Sequence, residues 1–191
     1  ERVLEAIAAT PRVGFVPRQW AALAGDDRPI EIGHGQVTTQ PSLSARMIEG
    51  LELTGSERVL EVGTGLGFQT ALLARLAREV VSVERLPDLA RQAEANLARH
   101  GVRNVELRVG DGSLGAPELA PFDAVLVSAA FPQVPPPLVE QLRVGGRLVQ
   151  PIGPGGREDV VQFRRTTEGL ERGRLLGPAR FVRLYGRYGY S

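Results

Sequence analysis

Three glycines and one acid in a single short stretch are the residues of this chain best suited to bind a ligand. Gly63, Gly65 and Gly67 alternate with other residues, and Glu61 stands two positions before the first of them. Glycines let a backbone approach a ligand closely, and the apolar run before them predicts a buried strand. A helix is predicted directly after them, so the ligand would meet a strand–loop–helix turn with free backbone N–H groups.

The glycine spacing discriminates between classes of ligand. A dinucleotide-binding turn has the pattern G-x-G-x-x-G with a pyrophosphate over the helix N-terminus, but Phe68 occupies the position of the third glycine. The acid at position 61 favours a cationic ligand over a pyrophosphate. S-adenosylmethionine (SAM) carries a sulfonium and an ammonium group, and the E-x-G-x-G-x-G pattern resembles the first motif of SAM-dependent methyltransferases. We therefore predict SAM as the cofactor, with an ordinary glycine-rich turn as the alternative.

Residues 32–41, I-G-H-G-Q-V-T-T-Q-P, form a second informative stretch. Thr38 and Thr39 offer two adjacent hydroxyls, and Gln40 is followed by Pro41, which is suited to open a helix. The pattern predicts a tight polar loop that leads into a helix. Free N–H groups at the start of that helix could receive an anion, or Thr39 could simply cap it. The spacing leaves both interpretations open.

Acids also end the strands predicted further along the chain. Glu84 lies 21 residues after Gly63, close to the separation of ~20 residues at which an acid meets the ribose of an adenosine ligand. Asp111 and Gly112 follow the third strand, where a carboxylate can accept the adenine amino group and a glycine can offer its N–H. Residues 128–131 read Ser-Ala-Ala-Phe, whereas base-modifying amino-methyltransferases carry Asn/Asp-Pro-Pro-aromatic there. This argues against N-methylation of adenine or cytosine.

Strands and helices alternate through the first 150 residues. Strands are predicted over 59–62, 79–84, 105–109, 122–127 and 147–151, helices over 1–9, 42–51, 69–77, 87–100 and 135–142, and an extended segment over 11–17. The β-segments 160–165, 171–176 and 181–186 follow without a helix between them. We predict an α/β fold: a doubly wound, mostly parallel SAM-methyltransferase (Rossmann-like) sheet with helices on both faces and antiparallel C-terminal strands.

We predict one domain over residues 1–191. Within it, residues 1–57 would supply N-terminal helices and a substrate loop, residues 58–150 the cofactor-binding core, and residues 151–191 the C-terminal β-segments. No repeat or linker interrupts the pattern.

Composition excludes several kinds of chemistry. The 191 residues include no Cys and no Lys, which removes disulfides, thiolate metal sites, a cysteine nucleophile, Schiff bases and the P-loop lysine. Two His leave little for a metal site, and we predict no metal. No apolar run approaches the ~20 residues of a membrane span, and no signal peptide is recognisable. We therefore expect a cytoplasmic protein with no membrane partner.

The net charge of +1 is unevenly distributed. Residues 1–142 hold 13 Arg against 18 acids, whereas residues 143–191 hold 10 Arg against 4 acids. The basic C-terminal third could contact nucleic acid or an acidic substrate. A solvated arginine face on edge strands is the simpler interpretation.

Along nearly its whole length the chain resembles the protein-L-isoaspartate (D-aspartate) O-methyltransferases. The G-x-G-Q…Q-P loop and the F-V-P-R segment are specific to that family, whereas the central motifs indicate only a methyltransferase. The matching segments are 15–18, 32–36 with 40–41, 58–67, 83–85, 110–112, 120–124, 141–148 and 180–184.

The resemblance implies a defined activity. The family methylates the misplaced α-carboxylate of L-isoaspartyl residues in damaged proteins, with SAM as methyl donor and S-adenosyl-L-homocysteine as product. The methyl ester then closes to a succinimide, which hydrolyses partly to aspartate. D-aspartyl residues are a second acceptor that the sequence leaves open. An acceptor carboxylate of pKa ~3.5 is ionised at pH 7, so the site needs alignment and not a general base.

The resemblance also implies roles for individual residues. Thr39 would be the catalytic residue, because its hydroxyl would orient the acceptor carboxylate. The substrate would contact His34, Thr38, Gln40 and Tyr185. The cofactor would be held by Val37, Glu61, Gly63, Thr64, Gly65, Glu84, Arg85, Asp111 and Gly112.

The chain departs from the family pattern in the substrate loop. Thr39 stands where the family has a functionally important Ser, and Val37 replaces a Thr. Near the C-terminus, Arg183 replaces a Pro. These departures bear on substrate preference and rate more than on cofactor binding.

Three other functions remain open. The chain could methylate another carboxylate, on a dedicated peptide or a small-molecule acid. It could methylate RNA through its basic C-terminal third, or bind SAM as a regulator without catalysis. We expect damaged proteins or peptides as substrates, no nucleic-acid partner, and a monomer.

Overall fold

The computed structural model describes residues 1–191 and contains nine strands and five α-helices. The strands are β1 (Ile30–Gly33), β2 (Gln36–Thr38), β3 (Arg58–Val62), β4 (Glu79–Glu84), β5 (Val105–Val109), β6 (Phe122–Val127), β7 (Leu142–Ile152), β8 (Glu158–Arg165) and β9 (Leu170–Ala179). The helices are α1 (Arg2–Ala8), α2 (Pro41–Glu49), α3 (Phe68–Leu76), α4 (Pro87–Arg99) and α5 (Pro136–Glu140). None of these helices is long and apolar enough to cross a membrane.

Seven strands form the central sheet, in the order β5–β4–β3–β6–β7–β8–β9. The pairs from β5 to β7 are parallel, whereas β7–β8 and β8–β9 are antiparallel. Helices cover both faces, so β3, β4 and β6 are buried almost throughout and read as near-continuous apolar runs. The predicted fold class is confirmed.

Two apolar clusters occupy the two faces of the sheet. One joins the sheet to α1, α2 and α3 and includes Val59 and Leu72; the other lies under α5 and includes Leu60 and Leu138. Adjacent residues of β3 contribute to opposite clusters because successive side chains of a strand alternate between faces. Glu61 therefore lies on the same face as Val59, beneath α3.

The carboxyl ends of β3 and β6 mark the point where the strand order reverses. From β3 the chain first builds β4 and β5 on one side, then returns to place β6 on the other. Ligands of doubly wound sheets bind in the crevice at such a point. Gly63 and Ser128 leave the two strands there, and a Cβ placed on Gly63 would lie 3.4 Å from the Ser128 Cβ.

Three predicted elements differ from the structure. Residues 12–15 form a 3₁₀ helix, where an extended segment was expected. Residues 32–41 are not a plain loop, because β1 and β2 pair as a hairpin. His34 and Gly35 form its two-residue turn, with φ values of 54° and 68° that match the left-handed conformation such turns require.

The third difference concerns residues 181–186, which are not a strand. Leu184 N donates to Ala130 O, and Ala130 N donates to Val182 O. The backbone of this segment is thus bonded to the loop after β6 and adds no eighth strand beside β9.

Candidate active site

A cavity of about 620 Å³ opens at the carboxyl ends of β3 and β6. Residues 63–66 of the glycine loop form one wall, and residues 36–40 of the hairpin and the start of α2 form another. The structure therefore brings the predicted cofactor loop and the predicted substrate loop to one cavity. The predicted site residues that line it are Val37, Thr38, Thr39, Gln40, Gly63, Thr64, Gly65 and Glu84.

The glycine loop adopts a backbone conformation that other residues rarely take. Gly63, Gly65 and Gly67 have φ values of 97°, 58° and 91°. Gly67 also faces α4, where a Cβ would lie 3.3 Å from Leu97 Cγ. Glycine is therefore required here both for conformation and for packing.

Glu84 ends β4 with its carboxylate held by two backbone groups. Its Oε2 accepts a hydrogen bond of 2.8 Å from Gly65 N, and its Oε1 accepts one of 3.0 Å from Leu86 N. The side chain is buried against the glycine loop but contributes to the cavity wall. The glycine loop thus orients the carboxylate of Glu84, the acid that was predicted to end this strand and to bind the same ligand.

Glu61 does not reach the cavity, which corrects its predicted contact with the cofactor. Its side chain is fully buried beneath α3. Its Oε2 accepts from the hydroxyls of Thr70 (2.5 Å) and Ser82 (2.6 Å). Burial raises the pKa of Glu61 to about 7, against the opposing effect of the hydrogen bonds from Ser82, Thr70 and Gln69. Ser82 Oγ lies 2.6 Å from Thr64 Oγ1, so Glu61 supports the glycine loop from below.

Asp111 and Gly112 also lie outside this cavity. Asp111 lines a separate cavity of about 570 Å³ together with Tyr188. Its Oδ1 accepts from Ser113 N at 2.9 Å, and its Oδ2 accepts from Arg187 N at 2.7 Å. Burial alone would raise the pKa of Asp111, but these hydrogen bonds hold it below its usual value. The predicted adenine acceptor therefore anchors the C-terminal turn in this structure.

Gly112 is packed against the sheet. A Cβ at this position would lie 2.4 Å from Val62 Cγ1, so only glycine fits without a shift of the strand. Its requirement for glycine is thus explained by packing, and its N–H contact with a cofactor stays a prediction.

His34, Arg85 and Tyr185 are the remaining predicted site residues that do not line the cavity. His34 occupies the exposed hairpin turn, with its Nε2 3.7 Å from Asp88 Oδ2. Arg85 places its guanidinium 5.3 Å from the centre of the Tyr185 ring. The hairpin turn and the bend of the C-terminal segment direct these side chains elsewhere, and their binding roles stay predictions.

Thr38 and Thr39 differ in their partners although both line the cavity. Thr38 is buried, and its Oγ1 accepts a hydrogen bond from Arg12 Nη2. Thr39 contributes its carbonyl oxygen to the same guanidinium at 3.2 Å, but its hydroxyl has no protein partner. The hydroxyl of Thr39 is therefore free to bond a ligand in the cavity.

The N-terminus of α2 is capped from elsewhere in the chain. Gln40 is the N-cap residue, and no side chain at that position caps the helix, so the interpretation of Thr39 as a cap is wrong. Instead Asp27 Oδ1 accepts from Ser42 N at 2.9 Å. Hydrogen bonds from the Ser42 backbone, and then from its hydroxyl, lower the pKa of Asp27. The anion at this helix terminus is thus a residue of the protein itself.

Arg12 is the positioning residue that sequence reasoning missed. Its buried guanidinium also donates to Asp26 O at 3.1 Å and to Arg28 O at 2.9 Å. Burial lowers the pKa of Arg12, opposed by the charges of Asp27 and Asp26. The only local signal was an arginine inside a proline-punctuated apolar segment, because all its partners lie at least 14 residues away.

Gln69 and Ser128 were also missed, although both line the cavity. Gln69 Nε2 donates to Ser128 Oγ at 2.7 Å, and Gln69 Oε1 is buried without a partner. This amide joins α3 to the loop after β6 across the strand-order reversal. No group of three or more His, Asp or Glu side chains is placed to hold a metal ion.

Comparisons with known proteins give a consistent family. The family model described as "Protein-L-isoaspartate(D-aspartate) O-methyltransferase (PCMT)" matches residues 1–189. A protein-L-isoaspartate O-methyltransferase of Methanoculleus marisnigri is 50% identical over 191 residues, covering 100% of this chain and 86% of the relative. One from Anaeromyxobacter dehalogenans is 56% identical over 185 residues, covering 96% and 88%.

Solved structures share the fold. A protein-L-isoaspartate O-methyltransferase superposes with a TM-score of 0.85 at 29% identity, covering 99% of this chain and 62% of that one. A Plasmodium falciparum protein described as "beta-aspartate methyltransferase (PCMT)", in complex with S-adenosyl-L-homocysteine, gives a TM-score of 0.82 at 21% identity over 97% of this chain and 90% of its own. The chain belongs to the protein-L-isoaspartate(D-aspartate) O-methyltransferase family.

Proposed function

We propose that this chain transfers the methyl group of SAM to the α-carboxylate of L-isoaspartyl residues in damaged proteins or peptides, which starts repair through a succinimide. The observation that carries the proposal is the unpartnered hydroxyl of Thr39 in the cavity that the glycine loop and Glu84 also line. Family membership over residues 1–189 and relatives of that name at about 50% identity support the reaction class.

The residues around the glycine loop fit SAM. Gly63 and Gly65 line the cavity without side chains, so the methionine end of the ligand can approach the loop backbone closely. Glu84 presents a carboxylate at the end of the neighbouring strand, suited to accept from ribose hydroxyls. The Glu61–Ser82–Thr64 hydrogen bonds hold the loop in place without contact to the ligand.

The reaction needs orientation more than acid–base chemistry. An oxygen of the acceptor carboxylate bonds to the methyl carbon that bound SAM supplies, while the carbon–sulfur bond breaks and its electron pair stays on sulfur. No proton moves, so the absence of Cys, Lys and His from the cavity wall is compatible with the step. Thr39 donates its hydroxyl to the acceptor carboxylate, and Arg12 fixes the backbone on which Thr39 stands.

The later steps of repair start from the methyl ester and need no residue of this site. The amide nitrogen of the following residue attacks the ester carbonyl, its proton and the methoxide leave together as methanol, and a succinimide forms. Water then opens either carbonyl of the ring, so that part of the product is normal aspartate.

The test compares two peptides that differ only in having isoaspartate or aspartate at one position. Methyl transfer from labelled SAM should label the isoaspartyl peptide alone. Equal labelling of both peptides would overturn the proposal. Labelling of neither, with SAM still bound, would favour a carboxyl methyltransferase for a dedicated peptide or a small-molecule acid.

A further inference from the structure

The cavity has a positively charged rim that the reaction described above does not use. Arg46, Arg157 and Arg180 line the cavity and have exposed side chains; we call them the basic rim. Glu84 is the one acidic residue of the lining, and its carboxylate faces two backbone N–H groups. The mouth of the cavity therefore carries an excess of positive charge.

The charges of the basic rim are not neutralised within the protein. The side chains of Arg157 and Arg180 make no hydrogen bond and no ion pair, and Arg46 only donates to Leu176 O at 3.4 Å. Other arginines of the C-terminal strands are paired, as Arg164 and Arg174 are with Glu52 at 3.2 and 3.1 Å. The unpaired charge at the cavity is thus available to a ligand.

A buried carboxylate fixes the backbone that carries two arginines of the basic rim. Glu158 is only 3% exposed, and its Oε1 accepts from Arg157 N at 2.6 Å. Its Oε2 accepts from Phe181 N at 2.7 Å. Because Glu158 pairs with Ala179 across β8 and β9, Arg157 and Arg180 leave the open end of this hairpin at adjacent positions. Glu158 therefore holds the two backbones that carry the free arginines.

We propose that the basic rim binds acidic side chains that flank the isoaspartyl residue, so that the enzyme favours damage sites in acidic stretches of polypeptide. This inference rests on the proposed function. The acceptor carboxylate is a single small anion that Thr39 can orient. The polypeptide on either side of it would pass the cavity mouth, and among the residues that line the cavity only the basic rim carries free charge. An acidic flank gains ion pairs there, whereas a basic flank is repelled.

The experiment uses isoaspartyl peptides of one length with Glu, Gln or Lys at the flanking positions, tested on each side in turn. We expect kcat/KM to be about fivefold or more higher for the Glu peptide than for the Lys peptide on at least one side, and the ratio to shrink as salt is raised, because exposed charges are screened. The double variant R157Q/R180Q should bring the ratio markedly nearer to one, with Arg46 as the one remaining charge of the basic rim.

A matched control removes the same charge from the same hairpin. Arg165 and Arg172 are also unpaired, but they lie near the β8–β9 turn and do not line the cavity. The variant R165Q/R172Q should keep the wild-type ratio. Equal kcat/KM for Glu and Lys peptides, or equal loss of preference in both double variants, would overturn the inference. The neutral Gln peptide distinguishes failure of this inference from failure of the proposed function. If the proposed function holds, the Gln peptide is methylated whatever the charge preference; if it fails, no isoaspartyl peptide is labelled.

Discussion

At the scale of single residues, two adjacent threonines differ in what remains free to bind. Arg12 donates a hydrogen bond to the hydroxyl of Thr38, whereas the hydroxyl of Thr39 has no partner in the protein. A hydroxyl without a partner at the wall of a cavity can donate to a ligand at no cost to the fold. The catalytic proposal therefore belongs to Thr39, with Thr38 as part of its support.

Thr39→Val should lower kcat for an isoaspartyl peptide by about tenfold or more, because the donor that orients the carboxylate is lost while the shape is kept. The Kd of SAM should change little. Steady-state kinetics together with SAM titration check this. Thr39→Ser restores the donor and should turn over faster than Thr39→Val; equal rates for the two variants would remove the hydroxyl from the mechanism.

Glu61 makes stability depend on pH. Its pKa is raised from 4.5 to about 7, so between these values the folded state holds more protons than the unfolded state. The free energy of unfolding therefore falls as pH rises through this window, by up to about 3 kcal/mol. Glu61→Gln removes the titration, and the variant should gain stability relative to the wild type between pH 5 and pH 8.

Urea unfolding at several pH values measures this effect. Glu94→Gln changes an exposed glutamate of α4 and serves as the control, since it should leave the pH profile as in the wild type. If the free energy of unfolding of Glu61→Gln changed with pH in parallel with that of the wild type, the pKa of the buried carboxyl would not be raised.

At the scale of elements, Arg12 joins segments that are distant in the chain. Its guanidinium binds carbonyl oxygens of Asp26, Arg28 and Thr39, and so ties the 3₁₀ helix of residues 12–15 to the entry of the hairpin and to the end of β2. The wall of the cavity therefore depends on a residue that does not itself line it.

Arg12→Gln should destabilise the fold by about 2 kcal/mol or more, because one buried acceptor and three partly buried acceptors lose their donor. The KM for the peptide should rise more than the Kd of SAM, since the loop around Thr39 loosens while the glycine loop is untouched. Denaturation and kinetics check the two effects. Arg18→Gln removes an exposed, unpaired arginine at the start of a second 3₁₀ helix (Arg18–Leu23) and should change neither. A proportionate change of KM and Kd would contradict the positioning role.

The C-terminal turn depends on Asp111 in the same way. Arg187 N bonds to its carboxylate, and Tyr188 N bonds to Ser113 Oγ at 3.0 Å. Asp111→Asn should speed hydrogen exchange at the Arg187 amide about tenfold, because the amide group is a weaker acceptor than the carboxylate. Unchanged exchange combined with weaker SAM binding would instead assign Asp111 to the cofactor. Asp88→Asn, at an exposed position of α4, is the control.

At the scale of the whole molecule, both edges of the sheet are charged. Exposed Arg172 and Arg174 lie on β9, and Glu106 and Arg108 form an ion pair on β5. Charged side chains on an edge strand disfavour pairing with another chain. We predict a monomer in sedimentation, and we expect Arg172→Val with Arg174→Val to increase self-association. A wild-type dimer at low concentration would contradict this prediction.

The amino-acid sequence alone determined the parallel core, the glycine loop and the class of cofactor. These follow from local signals: the apolar runs of β3, β4 and β6, the spacing of Gly63, Gly65 and Gly67, and the acid at position 84. Local signals are reliable there because strand burial and left-handed glycine conformations are set within a few residues.

Only the tertiary structure decided which side chains face the cavity. Glu61 and Asp111 have suitable types and spacing, yet α3 covers the first and the C-terminal turn bonds the second. Arg12 and Glu158 gave too little sequence signal to assign their partners. Arg12 binds groups 14 to 27 residues away, and Glu158 Oε2 accepts from Phe181 N, 23 residues away. The hydrogen-bond partner of a buried polar side chain often belongs to a distant chain segment that comes close only in the folded protein. A local sequence pattern therefore does not predict it.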